Sequence, residues 1–282
     1  MSWDRFHYLC RKYEQSNLNG TDFSNTVNSI ESQESTDLYG SPIESNSLAN
    51  EILNTLKTSK DPSLVKNASS VYAKLNFSCC IEEPIRLKRT TTYLVLLTLI
   101  YLFLSTIYQI FVAPAFLSMF ETLEVTPPQT FNWYINYSSY LSTIIIIFLI
   151  LLIFITHQIK QLFMLKVSKS SSSLYNLLIP YTIKDCYISI IEIVTQPAYK
   201  CFSEKQTTLS KIGAHLQEVE DSGSNTIPEI ENLLKIESRK LSDKAERFIL
   251  IIMSLISIVI VTSIIIFIIG AYAPIFIMED AL

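Results

Sequence analysis

The side chains that could carry chemistry in this chain are three histidines, five cysteines and one short run of acids. The histidines are scattered, and none stands beside a serine or cysteine as the base of a nucleophile would. The cysteines show no CxxC spacing, which favours ordinary reduced thiols over a metal site or a disulfide framework. No glycine occurs in the Gly-Lys-Ser/Thr setting of a phosphate-binding loop. We therefore predict that the chain is not an enzyme and uses no cofactor.

The acidic run Glu218-Val-Glu220-Asp221 allows two interpretations. Three carboxylates at this spacing could contribute oxygen ligands to a metal ion. They could also be a solvated turn whose charge favours the N-terminus of the next helix. We favour the turn and predict no metal site. The net charge of −4 also argues against a nucleic-acid partner, because no basic surface is available to displace counterions from phosphates.

Long apolar stretches must position these few polar groups. Three of them are long enough to cross the roughly 30 Å hydrocarbon core as helices. They occupy residues 91–113, 139–156 and 248–270, and none contains Asp, Glu, Lys or Arg. The third is interrupted only by Ser254, Ser257, Thr262 and Ser263. These small polar side chains either face lipid or line a contact between helices, and the sequence leaves both open.

The distribution of positive charge predicts the topology. Lys and Arg flank the same side of every span, whereas the loop 114–138 and the tail 271–282 contain none. The positive-inside rule therefore places residues 1–90 and 157–247 in the cytoplasm and the loop and tail outside. We predict an all-α polytopic membrane protein with three transmembrane helices and two small helical cytoplasmic domains.

The polar regions show helical spacing and turn signals. Phe6, Leu9 and Tyr13 predict a first amphipathic helix, whereas the Ser- and Glu-rich residues 31–47 indicate a loop or mobile linker. Thr226 and Glu229, with a proline between them, predict a capping box at the start of the last helix. No helix breaker follows before Gly270, so we expect that helix to run unbroken into the third span.

The first and third spans end in a similar motif. The first carries Ala-Pro114-Ala-Phe116, and the third carries Ala-Pro274-Ile-Phe276. Proline can end a helix where hydrocarbon gives way to water, because solvent replaces the lost N–H bond. The match reflects either independent helix stops or two copies of one unit, each made of cytoplasmic helices followed by a span.

In its motifs and topology the chain resembles the type II secretion F family, the inner-membrane platform proteins of type IV pilus and type II secretion machines. Both family halves end in Pro-x-Phe, as here at Pro114 and Pro274. A short apolar-Pro stretch enters the second cytoplasmic domain, matched here by Leu178-Ile-Pro180. The family motif Gly-Glu-x-Ser-Gly precedes the last helix, and here reads Val219-Glu220-Asp-Ser222-Gly223. The resemblance covers about residues 90–140 and 175–282, and both polar regions are shorter than is usual in the family.

The resemblance implies a non-enzymatic platform in the bacterial inner membrane. Its partners would be a cytoplasmic hexameric assembly ATPase, a pilin or pseudopilin, other inner-membrane assembly proteins and further copies of the chain. Motion driven by the ATPase would pass through the helices to subunits leaving the bilayer. The alternative is a small polytopic sensor or transporter subunit unrelated to pili. The residues that we expect to hold structure or contact partners are Pro114, Phe116, Pro180, Glu220, Ser222, Gly223, Pro274 and Phe276.

Overall fold

Every regular element that the structure describes is helical. The computed structural model describes residues 2–16, 23–45, 47–59, 61–77, 85–124, 126–165, 179–201 and 211–281. The chain divides into two compact units. The polar unit comprises Met1–Glu83 and Gln158–Ala245, and the membrane unit comprises Pro84–His157 and Glu246–Leu282. The prediction of an all-α fold with three membrane-length helices is confirmed.

Ten α-helices and three short helices of other types follow one another along the described residues. The α-helices are α1 (Ser2–Ser16), α2 (Phe23–Glu31), α3 (Leu48–Thr58), α4 (Pro62–Lys74), α5 (Ile85–Ile107), α6 (Ala113–Leu123), α7 (Gln129–Phe163), α8 (Tyr181–Thr195), α9 (Lys211–Asp221) and α10 (Thr226–Ala281). Two 3₁₀-helices cover Glu34–Tyr39 and Gln196–Cys201, and one π-helical turn covers Tyr108–Val112.

Helix α1 confirms the predicted amphipathic helix at the N-terminal end of the chain. Phe6, Leu9 and Tyr13 recur at three- and four-residue steps and are all buried. This face packs against α2, α3 and α4 in the polar unit. Side-chain caps define the first residues of α3 and α4. The Ser47 hydroxyl accepts the Asn50 N–H at α3, and the Asp61 carboxylate accepts the Ser63 N–H at α4.

The predicted loop over residues 31–47 is wrong for Glu34–Tyr39, which form a 3₁₀-helix. Two polar contacts hold this segment on the polar unit. The buried Thr36 hydroxyl donates to the carbonyl oxygen of Ile30 at 2.6 Å. The Arg5 guanidinium donates to the Asp37 carboxylate at 3.1 Å. Its Ser- and Glu-rich composition indicated a linker, but contacts with other parts of the fold order it.

The two polar regions of the sequence, 1–90 and 157–247, contribute to a single compact unit. Helix α4 and the 3₁₀-helix Gln196–Cys201 pack together. The Tyr72 hydroxyl donates to the carbonyl oxygen of Val194 at 2.8 Å, and both residues are fully buried. The helices predicted for two small domains therefore share one core.

Three helical stretches are long and apolar enough to cross a membrane, judged by length and composition. They are Thr98–Thr122, Gln129–Phe163 and Thr226–Ile269. Helix α7 contains no proline or glycine that would interrupt its run of Ile, Leu and Phe. Helix α10 extends for 56 residues, so the expected unbroken course from Thr226 to Gly270 is confirmed.

Pro114 does not end its helix, contrary to the expectation from sequence. The helical path continues through α6 to Leu123, so the proline lies in its first turn. A proline lacks the N–H that an α-helix needs and crowds the carbonyl one turn back. The wider π-turn at Tyr108–Val112 makes room for the proline ring. The N–H of Ala113, directly after this turn, donates to the Tyr108 carbonyl five residues back. The helix thus changes register before the proline instead of stopping there.

Pro274 also lies inside a helix, because the backbone of α10 continues to Ala281. The expectation that the two Pro-x-Phe motifs mark helix ends is therefore wrong for both. A proline removes only one backbone bond, which the remaining bonds of the helix can tolerate.

Candidate functional site

The turn between α9 and α10 contains the Glu220, Ser222 and Gly223 motif predicted from the sequence. The Ser222 N–H donates to the Glu218 carbonyl, and the Gly223 N–H donates to the Glu220 carbonyl, each at 3.0 Å. Gly223 has φ 71°, in the left-handed region that glycine adopts at a helix C-terminus. A Cβ built at Gly223 meets no atom within 4 Å, so backbone conformation alone favours glycine there.

The predicted capping box at the start of α10 is not the one that forms. The helix begins at Thr226, and the side-chain oxygen of Asn225 accepts the Ile227 N–H at 3.2 Å. Asn225 is therefore the N-cap, one residue before the predicted Thr226. Glu229, expected to close the box, instead lies 3.0 Å from His215 Nε2. This contact joins α9 to the first turn of α10.

The Ser222 hydroxyl donates to the Val219 carbonyl at 2.8 Å, and its oxygen also lies 3.1 Å from the Ser224 hydroxyl. It therefore bonds to backbone within the turn. Asn225 provides the side-chain acceptor for the Ile227 N–H. Glu220 is exposed and lines a groove beside the turn.

The groove has a volume of about 350 Å³ and lies within the polar unit. Its walls come from α4, the 3₁₀-helix Gln196–Cys201, α9, the turn and the first turns of α10. Ala68, Leu216 and Ile230 are buried apolar lining residues, and Gln217 and Glu220 add an amide and a carboxylate. The lining thus mixes apolar side chains with a similar share of polar groups, as the surfaces through which proteins contact one another do.

None of the remaining predicted residues whose side chains are described lines this groove. Pro180 directly precedes α8, and its carbonyl accepts the N–H groups of Ile183 and Lys184. Phe116 belongs to the membrane unit and packs edge-on against Phe131, with ring centroids 6.2 Å apart. The side chains of Pro274 and Phe276 lie outside the described part of the chain.

A polar network inside the membrane unit was only partly predicted. Ser263 of α10 is buried and shares a hydrogen bond with the Tyr101 hydroxyl of α5. Ser254, Ser257 and Thr262 are exposed. One further turn along α5, Ser105 receives a hydrogen bond from Gln109 Nε2 at 3.3 Å.

The four-residue spacing of Tyr101, Ser105 and Gln109, which runs from α5 into the π-helical turn, could have indicated this network. Tyr108 lies beside it, next to the ring of Tyr134. The Tyr108 hydroxyl is buried without a hydrogen-bond partner among the described residues. The network therefore joins helices of the membrane unit without any charged group.

Within the described ranges, no group of three or more His, Cys, Asp or Glu side chains is placed to hold a metal ion. Comparison of the chain with protein-family models, curated proteins and solved structures finds no match.

Proposed function

We propose that the protein is an inner-membrane platform of a type IV pilus or type II secretion-like machine. In this role it couples a cytoplasmic assembly ATPase to the polymerisation of pilin or pseudopilin. The polar unit faces the cytoplasm, where the ATPase works, and the membrane unit contacts subunits that leave the bilayer.

The order of elements supports this role. A polar helical region precedes two membrane-length helices, a second polar region follows, and a third membrane-length helix completes the chain. Lys and Arg concentrate beside the spans on the side assigned to the cytoplasm. The turn Val219-Glu-Asp-Ser-Gly223 precedes the last helix, as its counterpart does in the platform proteins that the chain resembles.

The main observation in support of the proposal is that the groove lies against the first turns of α10. Thr226 and Ile230 line the groove, and they lie in the first turns of the 56-residue helix. That same helix supplies the third membrane-length stretch. A protein bound in the groove therefore contacts the end of a continuous helix, in which each turn is bonded to the next along the axis. Displacement at the groove is passed along that axis with little loss.

Glu220 is the carboxylate that the groove offers to a bound ATPase. A basic side chain of the ATPase would pair with it on binding. If the complex buries this pair, removing one partner leaves the other charge buried and unpaired, which costs about 2–5 kcal/mol of binding.

The adjacent acid Asp221 provides a matched control, because it is also exposed but does not line the groove. We compare Glu220→Lys with Asp221→Lys in cells, measuring the level of the membrane protein and co-purification of the cell's pilus or secretion assembly ATPase. Glu220→Lys is expected to lose the ATPase at a normal protein level, whereas Asp221→Lys retains it.

Equal co-purification with both variants would exclude the groove as the ATPase contact. Normal piliation and normal secretion after deletion of the gene would overturn the platform function itself.

A further inference from the structure

A cysteine and a lysine of the polar unit lie in direct contact, and neither of them lines the groove. Cys186 belongs to α8 and Lys244 belongs to α10, and the Cys186 Sγ and Lys244 Nζ atoms are 3.1 Å apart. The two residues are 58 positions apart in the chain, and both belong to the polar unit. The fold therefore brings two nucleophilic side chains, a thiol and an amine, together between two helices.

The amine of Lys244 is held beside the thiol by two hydrogen bonds. Nζ donates to the carbonyl oxygen of Thr182 at 3.3 Å and to Cys186 Sγ at 3.1 Å. Thr182 and Cys186 are four residues apart, so they are neighbours on one face of α8. No carboxylate among the described residues forms an ion pair with Lys244. A stronger, charged partner therefore does not draw the amine away from the sulfur.

The contact lies at the edge of the core. Cys186 is a free thiol with 4% of its surface exposed, and Lys244 is half-buried. The bond from Lys244 to the Thr182 carbonyl is exposed, so the amine borders solvent on that side. Cys10 differs in both respects. It is completely buried, and burial raises its pKa well above the ordinary value, which keeps its thiol protonated and inert.

We propose that Cys186 and Lys244 form a reversible sulfenamide cross-link on exposure to hydrogen peroxide. The Cys186 thiolate attacks one peroxide oxygen, the O–O bond breaks and hydroxide leaves, so that sulfur is oxidised to a sulfenic acid and peroxide is reduced. The neutral Lys244 amine then attacks the sulfur. The S–N bond forms, the S–O bond breaks, and the hydroxide leaves as water with a proton from the nitrogen. One thiol, one amine and one peroxide give one sulfenamide and two waters.

The cross-link is a switch because a thiol reductant reverses it. The reductant attacks the sulfur and returns the Lys244 amine, and a second thiol then restores Cys186. A sulfenic acid that finds no nitrogen or thiol is oxidised further to a sulfinic acid, which is not readily reduced. Lys244 therefore protects the thiol from permanent damage. Because α10 continues into the third membrane-length stretch, the cross-link fixes the part of that helix in the polar unit to α8.

The test uses the full-length protein in detergent. It is treated with hydrogen peroxide at mildly alkaline pH, which leaves more of a thiol and of an amine deprotonated, and its proteolytic peptides are analysed by mass spectrometry. We expect a pair joined through Cys186 and Lys244 that is lighter than the two separate peptides by two hydrogen atoms. Dithiothreitol should release both peptides. The cross-linked protein should also melt at a higher temperature, because a link across 58 positions restricts the unfolded chain.

Lys244→Arg is the decisive variant, because arginine keeps the positive charge and the donors but stays protonated and does not condense. It should give no cross-link, and Cys186 should instead be oxidised to a sulfinic acid. Lys240→Arg is the matched control one turn earlier on α10. Glu237 holds the Lys240 amine at 2.7 Å, so this replacement should leave the cross-link unchanged.

Three results would each overturn the cross-link. They are a wild-type protein that yields no joined peptides, Cys186 joined to Lys240 in place of Lys244, and a Lys244→Arg variant in which Cys186 is still cross-linked. None of these outcomes depends on the platform function.

Discussion

The hydroxyl of Tyr72 in α4 donates to the carbonyl oxygen of Val194 in α8, two residues that are 122 positions apart in the chain. Both lie in the core of the polar unit and are fully buried. Burial raises the pKa of Tyr72 well above its ordinary value of 10.0, so the hydroxyl stays protonated and remains a donor. The bond fastens the N-terminal helices to the segment that follows the second membrane-length helix.

Tyr72→Phe removes this bond and keeps the ring. We expect a loss of about 1 kcal/mol in the free energy of unfolding, because a buried carbonyl loses its side-chain donor. Thermal unfolding of the purified protein measures the loss. Tyr181→Phe is the control, since Tyr181 is 76% exposed, and it should leave the melting temperature unchanged. Equal melting temperatures for the Tyr72 variant and the wild type would contradict a role for the bond in joining the two regions.

The elements that could be predicted from sequence are those with a strong local pattern. The apolar residues of α10 and the three- and four-residue steps of Phe6, Leu9 and Tyr13 each indicate a helix without reference to the rest of the fold. The sharing of one core by both polar regions was not predictable. It depends on contacts such as that of Tyr72 with Val194, and no local periodicity records a partner so distant in sequence.

The sequence predicted where the turn before α10 lies, but the predicted first residue of the helix was off by one position. Gly223 was expected to hold structure or contact a partner, and its φ of 71° places it in a turn conformation that favours glycine. Asn225 and Thr226 both belong to residue types that cap helices, so composition could not decide which one stands just outside α10. The π-turn before Pro114 was missed for another reason. A proline in a sequence indicates a lost N–H, but not whether the helix stops or changes register.

Acid should destabilise the polar unit through His7. Burial lowers the pKa of His7 below its ordinary value of 6.5, although the Tyr72 carbonyl and Asp4 oppose this and Arg11 reinforces it. The unfolded chain therefore binds a proton at pH values where the folded chain does not. Folding stability should fall as the pH drops below about 6.5, by up to about 1.4 kcal/mol for each pH unit, until the folded pKa is reached.

Melting temperatures between about pH 7.5 and pH 5 measure this effect. His7→Asn keeps an N–H donor near Tyr72 but removes the titrating ring, so its melting temperature should depend less on pH across this range. An unchanged pH dependence in the variant would assign the acid sensitivity to other groups.

Removing the unpaired hydroxyl of the membrane unit should not destabilise it. Tyr108→Phe deletes a buried oxygen that has no partner among the described residues, so the variant should unfold at the same temperature as the wild type or higher. Tyr101→Phe is the matched contrast, because its hydroxyl is bonded to Ser263 and its loss should cost about 1 kcal/mol. A Tyr108 variant less stable than the Tyr101 variant would show that the Tyr108 hydroxyl has a partner.

Reporter fusions test the proposed orientation. Alkaline phosphatase folds only outside the cytoplasm, so fusions after Thr130 and Leu282 should be active, and those after Leu75 and Ser210 inactive. These expectations follow from the concentration of Lys and Arg on the side of the spans that we assign to the cytoplasm. Reporter fluorescence from green fluorescent protein at the same four sites provides the reciprocal control. An active phosphatase after Ser210 would contradict both the topology and the platform function.

The start of α10 can be tested one residue at a time. Asn225→Ala removes the side-chain acceptor of the Ile227 N–H, and we expect a loss of about 1 kcal/mol in folding stability. Thr226→Ala is the neighbouring control, and it should have a smaller effect because Thr226 is already inside the helix. Thermal unfolding gives the stability of both variants. If Thr226→Ala proves the more damaging, the capping box expected from sequence, and not Asn225, begins the helix that joins the groove to the third membrane-length stretch.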